Sequence, residues 1–293
     1  MAVVEDGSVR EVAALADAGT DHLRSVAGTL EPVRWSAPDG LELEGYLARP
    51  GDAADGPLPT ILFVHGGPVG RYRSMWGMGR GLVPLLVSRG YAVFMPNPRG
   101  STGHGQDFME MVVGDMGGAD AKDVLAGLDA LVERGAADPS RLGLIGGSYG
   151  GFMSAWLVTQ DERFAAAVPI SPVTDYASQH WTSNIGFWDR IFIGEDPWIP
   201  GGEYHARSPV MFARQVRTPV LQTAGGVDRC TPPGQAVEFH QALLEAGVES
   251  ELAIYPQEGH GVRSFPAALD FATRVVTWFE RHMPARRGGA GGS

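Results

Sequence analysis

An α/β fold built on a mostly parallel sheet is the fold class this sequence predicts. Three observations lead to it. Short, nearly continuous apolar runs recur along the chain, as strands covered on both faces require. Helix-length amphipathic patterns lie between those runs. The 41 glycines and 21 prolines among 293 residues supply turns for many short connections.

In chain order, residues 1–30 are small, polar and weakly periodic, with Val12, Leu15, Leu23 and Val26 marking at most one helical face. The run "EPVRWSAPDGLELEGYLARP" then reads as a hairpin, because two alternating segments flank Asp39-Gly40, a two-residue turn signal. Thr60 to Val64, inside "GPLPTILFVHGGP", is the first buried strand. The same type returns at "YAVFMP", "LGLIGG", "AAAVPIS", "PVLQTAGG" and "ELAIYP". Helical patterns occupy Met78–Ser88, Lys122–Glu133, Phe152–Gln160, Gly234–Ala246 and Pro266–Met283. The hairpin pair and the six buried runs make an eight-stranded sheet with one antiparallel edge. The expected organisation is an N-terminal extension over residues 1–30, one α/β domain over 31–284, and a flexible tail over 285–293 that ends in "RRGGAGGS". Residues 172–209 break the rhythm. They are rich in Trp, Phe, Tyr and Pro without a clear period, and read as a long connection on the core, a cap or pocket wall over the strand ends, or both.

Composition narrows the function. A formal net charge of −11, spread along the chain, argues against nucleic acid as the main partner and favours a soluble protein. No run reaches the roughly 20 apolar residues of a membrane span. The N-terminus "MAVVEDGSVREV" lacks the basic start and long apolar run of a signal peptide, so a cytoplasmic location is expected. The single cysteine, Cys230, permits no internal disulfide. No His/Cys/Asp cluster has metal-ligand spacing, and "GMGRG" at 77–81 follows no strand, so it reads as a turn into a helix and not as a phosphate loop. No metal and no cofactor are expected.

The chemistry concentrates at "LGLIGGSYGGFMSAW". Ser148 sits in Gly146-Gly147-Ser148-Tyr149-Gly150, a G-x-S-x-G run directly after a buried strand and directly before a helical pattern. That is the context of a nucleophile elbow. The turn is so sharp that a side chain two residues before or after the serine would collide with its neighbours, which selects glycine at 146 and 150. The alternative is a glycine-rich turn with a capping serine. A serine hydroxyl is a weak nucleophile and needs a base and an orienting acid. In this fold type they follow in the order acid, then histidine. Five of the eight histidines lie C-terminal of Ser148. His240 and His282 sit among polar residues of helical patterns and read as solvated; His180 and His205 lie in the irregular region. His260, in "QEGHGV" beyond the strand "ELAIYP", is the candidate base. Asp228, after the Gly-Gly break that ends "PVLQTAGG", is the candidate acid. Thr231, just before two prolines, reads as a helix cap. Oxyanion donors are expected from the amide of Tyr149 and, in the loop His65-Gly66-Gly67-Pro68, from Gly67 first and Gly66 second.

Taken together, "HGGP", "NPRGSTGHGQDF", "GGSYGG", "SPV", the D-x-x-T-P run at 228–232 and "EGHG" resemble the catalytic domain of the prolyl oligopeptidase family, nearest its acylaminoacyl-peptidase-like branch. The resemblance covers about residues 31–284. It implies an α/β-hydrolase fold, serine peptidase chemistry on short peptides, a triad of Ser148, Asp228 and His260, and oxyanion amides at Tyr149 and Gly67. It also implies an apolar substrate pocket walled by Tyr149, Val173, Trp188 and Phe192. Family members usually carry an N-terminal β-propeller, for which this chain has no room; the sequence is either a fragment of such a protein or one that works without that gate. Some place an arginine two residues after the acid, where this chain has Cys230; Arg229 is therefore given no substrate role, and Arg99 reads as structural. The expectation is a serine hydrolase that cleaves short peptides or acylated amino acids. The alternatives are a carboxylesterase on small esters with the same triad, and a non-catalytic hydrolase-fold scaffold. The expected partner is a small-molecule or short-peptide substrate, with no nucleic acid and no membrane. Monomer and homo-oligomer both stay open.

Overall fold

The computed structural model describes residues 2–5, 8–11, 26, 28–51, 56–74 and 81–285. Most of the weakly periodic segment from Val12 to Val26, most of "GMGRG" and the tail from Arg286 onward therefore lie outside the described residues. The chain opens with a two-stranded antiparallel sheet, β1 (Ala2–Glu5) and β2 (Ser8–Glu11), which the sequence did not announce. The main sheet has eight strands: β3 (Thr29–Ser36), β4 (Glu42–Arg49), β5 (Leu58–Val64), β6 (Ala92–Asn97), β7 (Ala137–Gly147), β8 (Phe164–Ile170), β9 (Val220–Gly225) and β10 (Ser250–Tyr255). Their order is β10-β9-β8-β7-β5-β6-β4-β3. The hairpin β3–β4 forms one edge and joins β6 antiparallel, while every pair from β6 to β10 is parallel. This is the eight-stranded, mostly parallel sheet read from the sequence. The hairpin turns at Asp39-Gly40, where Gly40 takes φ +86° and its amide donates to Ala37 O at 2.9 Å.

Burial explains the apolar runs. β6 and β9 are buried at every position. Along β5, Leu62 and Val64 pack into one core while Ile61 and Phe63 face the other, the period-2 alternation of a strand with both faces covered. Helices α3 (Ala119–Glu133), α4 (Tyr149–Gln160) and α8 (Gly234–Glu245) contribute to the first core. Helices α1 (Leu82–Ser88) and α9 (Ala267–His282) close the second with Leu86, Val275, Trp278 and Phe279. Each fully buried Ile, Leu or Phe contributes about 1.5–3 kcal/mol, so this three-layer sandwich holds the strand ends firmly. Arg99 is structural: Nε and Nη2 donate to Asp123 at 2.8 Å each, and Nη1 reaches Asp39 at 2.8 Å.

The segment 172–209 is more regular than its sequence suggests. It holds three short helices, α5 (Tyr176–Thr182), α6 (Gly186–Ile193) and α7 (Glu203–Ala206). A short α2 (Gln106–Glu110) precedes α3. Asp175 caps α5, its carboxylate accepting from the amides of Ala177 and Ser178. Helices of four to eight residues fall below the length at which periodicity is readable.

Candidate active site

In an open parallel sheet, loops leaving the carboxyl ends of the strands share one side. Here β5, β7, β9 and β10 lead there into His65–Pro68, Ser148, Asp228 and His260 respectively. At Ser148 the backbone takes φ 63°, ψ −120° between β7 and α4, a strained conformation for a residue with a Cβ. The flanking glycines are sterically required. A methyl on Gly146 would run into the backbone of Gly150, one on Gly150 into the carbonyl oxygens of Val64 and His65, and one on Gly151 into Ile170 O. The sequence pointed to the first two; Gly151 is needed because α4 crosses the end of β8. The amide of Ser148 donates to Ile170 O at 2.9 Å, which ties the turn to the neighbouring strand.

Tyr149 is the first residue of α4, so its N–H has no carbonyl one turn earlier to bond. Its phenol is buried and donates to Asp120 Oδ2 at 2.6 Å. Burial pushes Asp120 up to about 6 despite that bond. The glycine loop packs directly on the elbow: a Cβ on Gly66 would lie 3.3 Å from Gly147 O and 3.6 Å from Ser148 Cβ. Gly67 takes φ +130°, which excludes a side chain there. His65 anchors this loop. Its ring is buried, with Nδ1 2.9 Å from Gly66 O and Nε2 3.0 Å from Ser101 Oγ. Burial pushes its pKa down to about 4, so the ring is neutral and its Nδ1–H donates to the carbonyl.

Asp228 and His260 meet. His260 Nδ1 is 2.7 Å from Asp228 Oδ2. The carboxylate also accepts from Cys230 N at 2.8 Å, Thr231 N at 3.1 Å and Thr231 Oγ1 at 3.0 Å. These four donors fill the lone-pair sites of one carboxylate. Burial works against the charge, but the bond to His260 and the two amides outweigh it and hold Asp228 below the usual carboxylate range. Facing an ionised carboxylate, Nδ1 carries the proton and Nε2 is left as the basic nitrogen. The reading of Thr231 as a helix cap is corrected: α8 starts at Gly234, and the Thr231 hydroxyl spans Asp228 and His260, lying 3.2 Å from His260 Nδ1. A side chain that bridges residues 32 positions apart in sequence leaves no local signal.

His260 stands at the tip of a three-residue turn, with the amide of Gly261 donating to Gly259 O at 2.8 Å and Gly261 at φ +123°. The loop folds back over β9: a methyl on Gly225 would strike the carbonyls of Glu258 and Gly259. Glu258, which sequence reasoning passed over, is nearly buried and accepts from the amides of Arg263 at 3.0 Å and Ser264 at 3.1 Å, pinning the far side of the loop. The imidazole is about one-third exposed. No hydrogen bond joins Ser148 Oγ to His260; in catalytic sites such bonds often tighten only when substrate docks. His240 and His282 are not solvated as expected. His240 Nδ1 lies 2.8 Å from Ser250 Oγ, and the His282 ring packs on Trp278 with centroids 4.4 Å apart.

Of the pocket candidates, Val173 and Phe192 are buried and Trp188 is half-buried on Phe192, with ring centroids 4.3 Å apart. Next to this pair, Asp189 is fully buried and neither carboxylate oxygen has a hydrogen-bond partner; His180 Nδ1 lies 3.9 Å away. Burial pushes Asp189 up to about 7. The unfolded chain ionises this group near its ordinary value of 3.8, whereas the folded chain holds the proton until about 7. Its stability contribution is thus complete below the lower value and lost as pH rises through the upper one. Asp189→Asn is expected to be more stable than the parent at pH 8 by on the order of 3 kcal/mol, with the difference vanishing towards pH 4. Denaturant melts at the two pH values check this; a variant that is weaker at pH 8 contradicts it.

Among the described residues, no group of three or more His, Cys, Asp or Glu is placed to hold a metal, and no helix is long and apolar enough to cross a membrane. The model of the prolyl oligopeptidase family matches residues 80–286. The chain is 35% identical over 259 residues to the Uncharacterized peptidase YuxL of Bacillus subtilis (strain 168), covering 86% of this chain and 39% of that protein. It is 32% identical over 253 residues to the human acylamino-acid-releasing enzyme, covering 83% and 34%. The Pyrococcus horikoshii acylaminoacyl peptidase superposes with a TM-score of 0.86 at 29% identity, over 98% of this chain and 47% of that one. A puromycin-hydrolyzing peptidase of Mycobacterium tuberculosis superposes with a TM-score of 0.84 at 27% identity, over 97% and 43%. The chain thus spans less than half the length of these relatives, and its sheet is that of the α/β-hydrolase fold they share.

Proposed function

The chain belongs to the prolyl oligopeptidase family, and from that membership we propose that it is a serine peptidase cleaving short peptides or acylated amino acids. One observation carries the reading. The Asp228–His260 bond of 2.7 Å stands beyond the ends of β9 and β10, on the side of the sheet where the β7 elbow presents Ser148. Ser148 Oγ attacks the scissile carbonyl carbon and passes its proton to His260 Nε2. Asp228 stabilises the imidazolium and fixes its tautomer. The amides of Tyr149 and Gly67, with Gly66 as second choice, receive the oxyanion. His260 returns the proton to the leaving nitrogen, and water releases the acyl group from Ser148 by the same route reversed. Tyr149, Val173, Trp188 and Phe192 wall the side-chain pocket. By their names, one relative releases acylamino acids and another hydrolyses puromycin, which supports amides as the substrate class.

The test has two arms. A fluorophosphonate is expected to label the protein once, and peptide mapping is expected to find the adduct on Ser148. Aminoacyl and N-acyl-aminoacyl p-nitroanilides are expected to be hydrolysed with kcat/KM within reach of matched p-nitrophenyl esters. A folded protein that takes no label ends the serine hydrolase reading. Turnover of esters alone ends the peptidase reading and leaves the esterase.

A further inference from the structure

The segment 172–209, the cap expected from the sequence, and the acid loop are joined by an arrangement with a direction to it. Two consecutive peptide groups follow Asp228. The first, between Arg229 and Cys230, receives the amide of Asn184 on its carbonyl at 2.9 Å and donates its own N–H to Asp228 Oδ1 at 2.8 Å. The second, between Cys230 and Thr231, receives Gln179 Nε2 and Ser183 Oγ on its carbonyl, each at 2.7 Å, and donates its N–H to Oδ1 at 3.1 Å. Each peptide group is thus held between a cap donor on one edge and the same carboxylate oxygen on the other. Gln179 is buried on α5, and Ser183 and Asn184 follow directly in the turn that leads to α6.

We propose that Gln179 and Ser183 are positioning residues of the reaction, which set Asp228 through the peptide group between Cys230 and Thr231 and so couple the cap to the acid–base pair. A carbonyl that accepts hydrogen bonds polarises its own amide, and the amide then donates more strongly. The cap donors therefore strengthen and aim the two bonds that hold Oδ1, while Oδ2 is left to His260 and Thr231. The proposal rests on the serine peptidase reading for its kinetic consequence but not for its structural one.

Ser183→Ala combined with Gln179→Leu removes both side-chain donors. With them gone, the Thr231 amide donates more weakly, Asp228 keeps more of its negative charge, and that charge holds the His260 imidazolium more tightly. A titration of the imidazole by NMR is expected to give His260 a higher pKa in the double variant than in the parent. Ser183→Thr, which keeps the hydroxyl, is expected to titrate like the parent. With p-nitroanilide substrates, the loss of aim at Asp228 is expected to outweigh the tighter charge, so that kcat falls about ten- to a hundredfold while KM changes less than about twofold. A contact that only supports the fold would lower the melting temperature and leave the His260 titration where it was. An unchanged or lowered His260 pKa in the folded double variant overturns the proposal, whatever the activity. A parent that takes no fluorophosphonate label ends the peptidase reading separately and leaves the titration to decide the positioning.

Discussion

Ser148→Ala is expected to leave a folded protein whose amide hydrolysis is lower by about five to six orders of magnitude. The size follows from the absence of a second nucleophile in the elbow: with Oγ gone, His260 has no proton to accept from the enzyme, and only oxyanion binding and substrate positioning remain. The fold is expected to survive for local reasons. The Ser148 hydroxyl makes no hydrogen bond within the described residues, so its removal orphans nothing. The strained φ of 63° is carried by a residue with a Cβ in either case. The bond that matters to the turn, from the Ser148 amide to Ile170 O, belongs to the backbone and persists. Residual turnover of purified variant and parent, with melting curves alongside, measures this. Activity within about tenfold of the parent in a folded variant would remove Ser148 as the nucleophile.

Asp228→Asn is expected to cost about four orders of magnitude in kcat. The native carboxylate is an acceptor for all four of its partners, two amides, the Thr231 hydroxyl and His260 Nδ1. A carboxamide has one acceptor oxygen and one donor group. The two backbone amides claim the oxygen, which turns the NH2 towards His260. The ring must then accept at Nδ1 and carry its proton on Nε2, the nitrogen that has to receive the proton of Ser148. The variant fails by tautomer, with geometry intact. Steady-state kinetics together with fluorophosphonate labelling rates check the prediction, since both need the basic Nε2. A loss of less than about thirtyfold in a folded variant would mean that Asp228 is not the orienting acid.

What could be read from the sequence was whatever leaves a local trace. Thr60–Val64 announces a strand because both faces need apolar residues. Gly146 and Gly150 announce the elbow because only they fit beside Val64, His65 and each other. Asp228 and His260 could be named because position after a strand end is itself a local property. The rest depends on contacts between residues far apart in the chain. Thr231 looked like a cap because two prolines follow it, and nothing nearby points to His260 as its partner. Asp120 stands just before the helical pattern read from Lys122 to Glu133, 29 residues before the phenol that donates to it. Helices α5 to α7 are held by tertiary contacts, such as Gln179 Nε2 on Cys230 O at 2.7 Å, and not by their own periodicity. The corrected histidines have the same origin: His240 is sheltered by Ser250 on β10 and His282 by the face of Trp278.

The three members of the proposed triad are not equally secured by the sheet. β7 lies near its middle and β9 has a strand on each side, whereas β10 is the outermost strand and its residues are mostly half-exposed. Ser148 therefore belongs to the part of the molecule that opens only with the whole domain, while the segment carrying His260 hangs from a margin paired on one side alone. Opening of that margin costs less than global unfolding. Fraying of β10 from β9 would withdraw the base with the nucleophile, the glycine loop and both cores still in place. The proposed activity is thus expected to be lost on heating with the loosening of β10, before the fold melts.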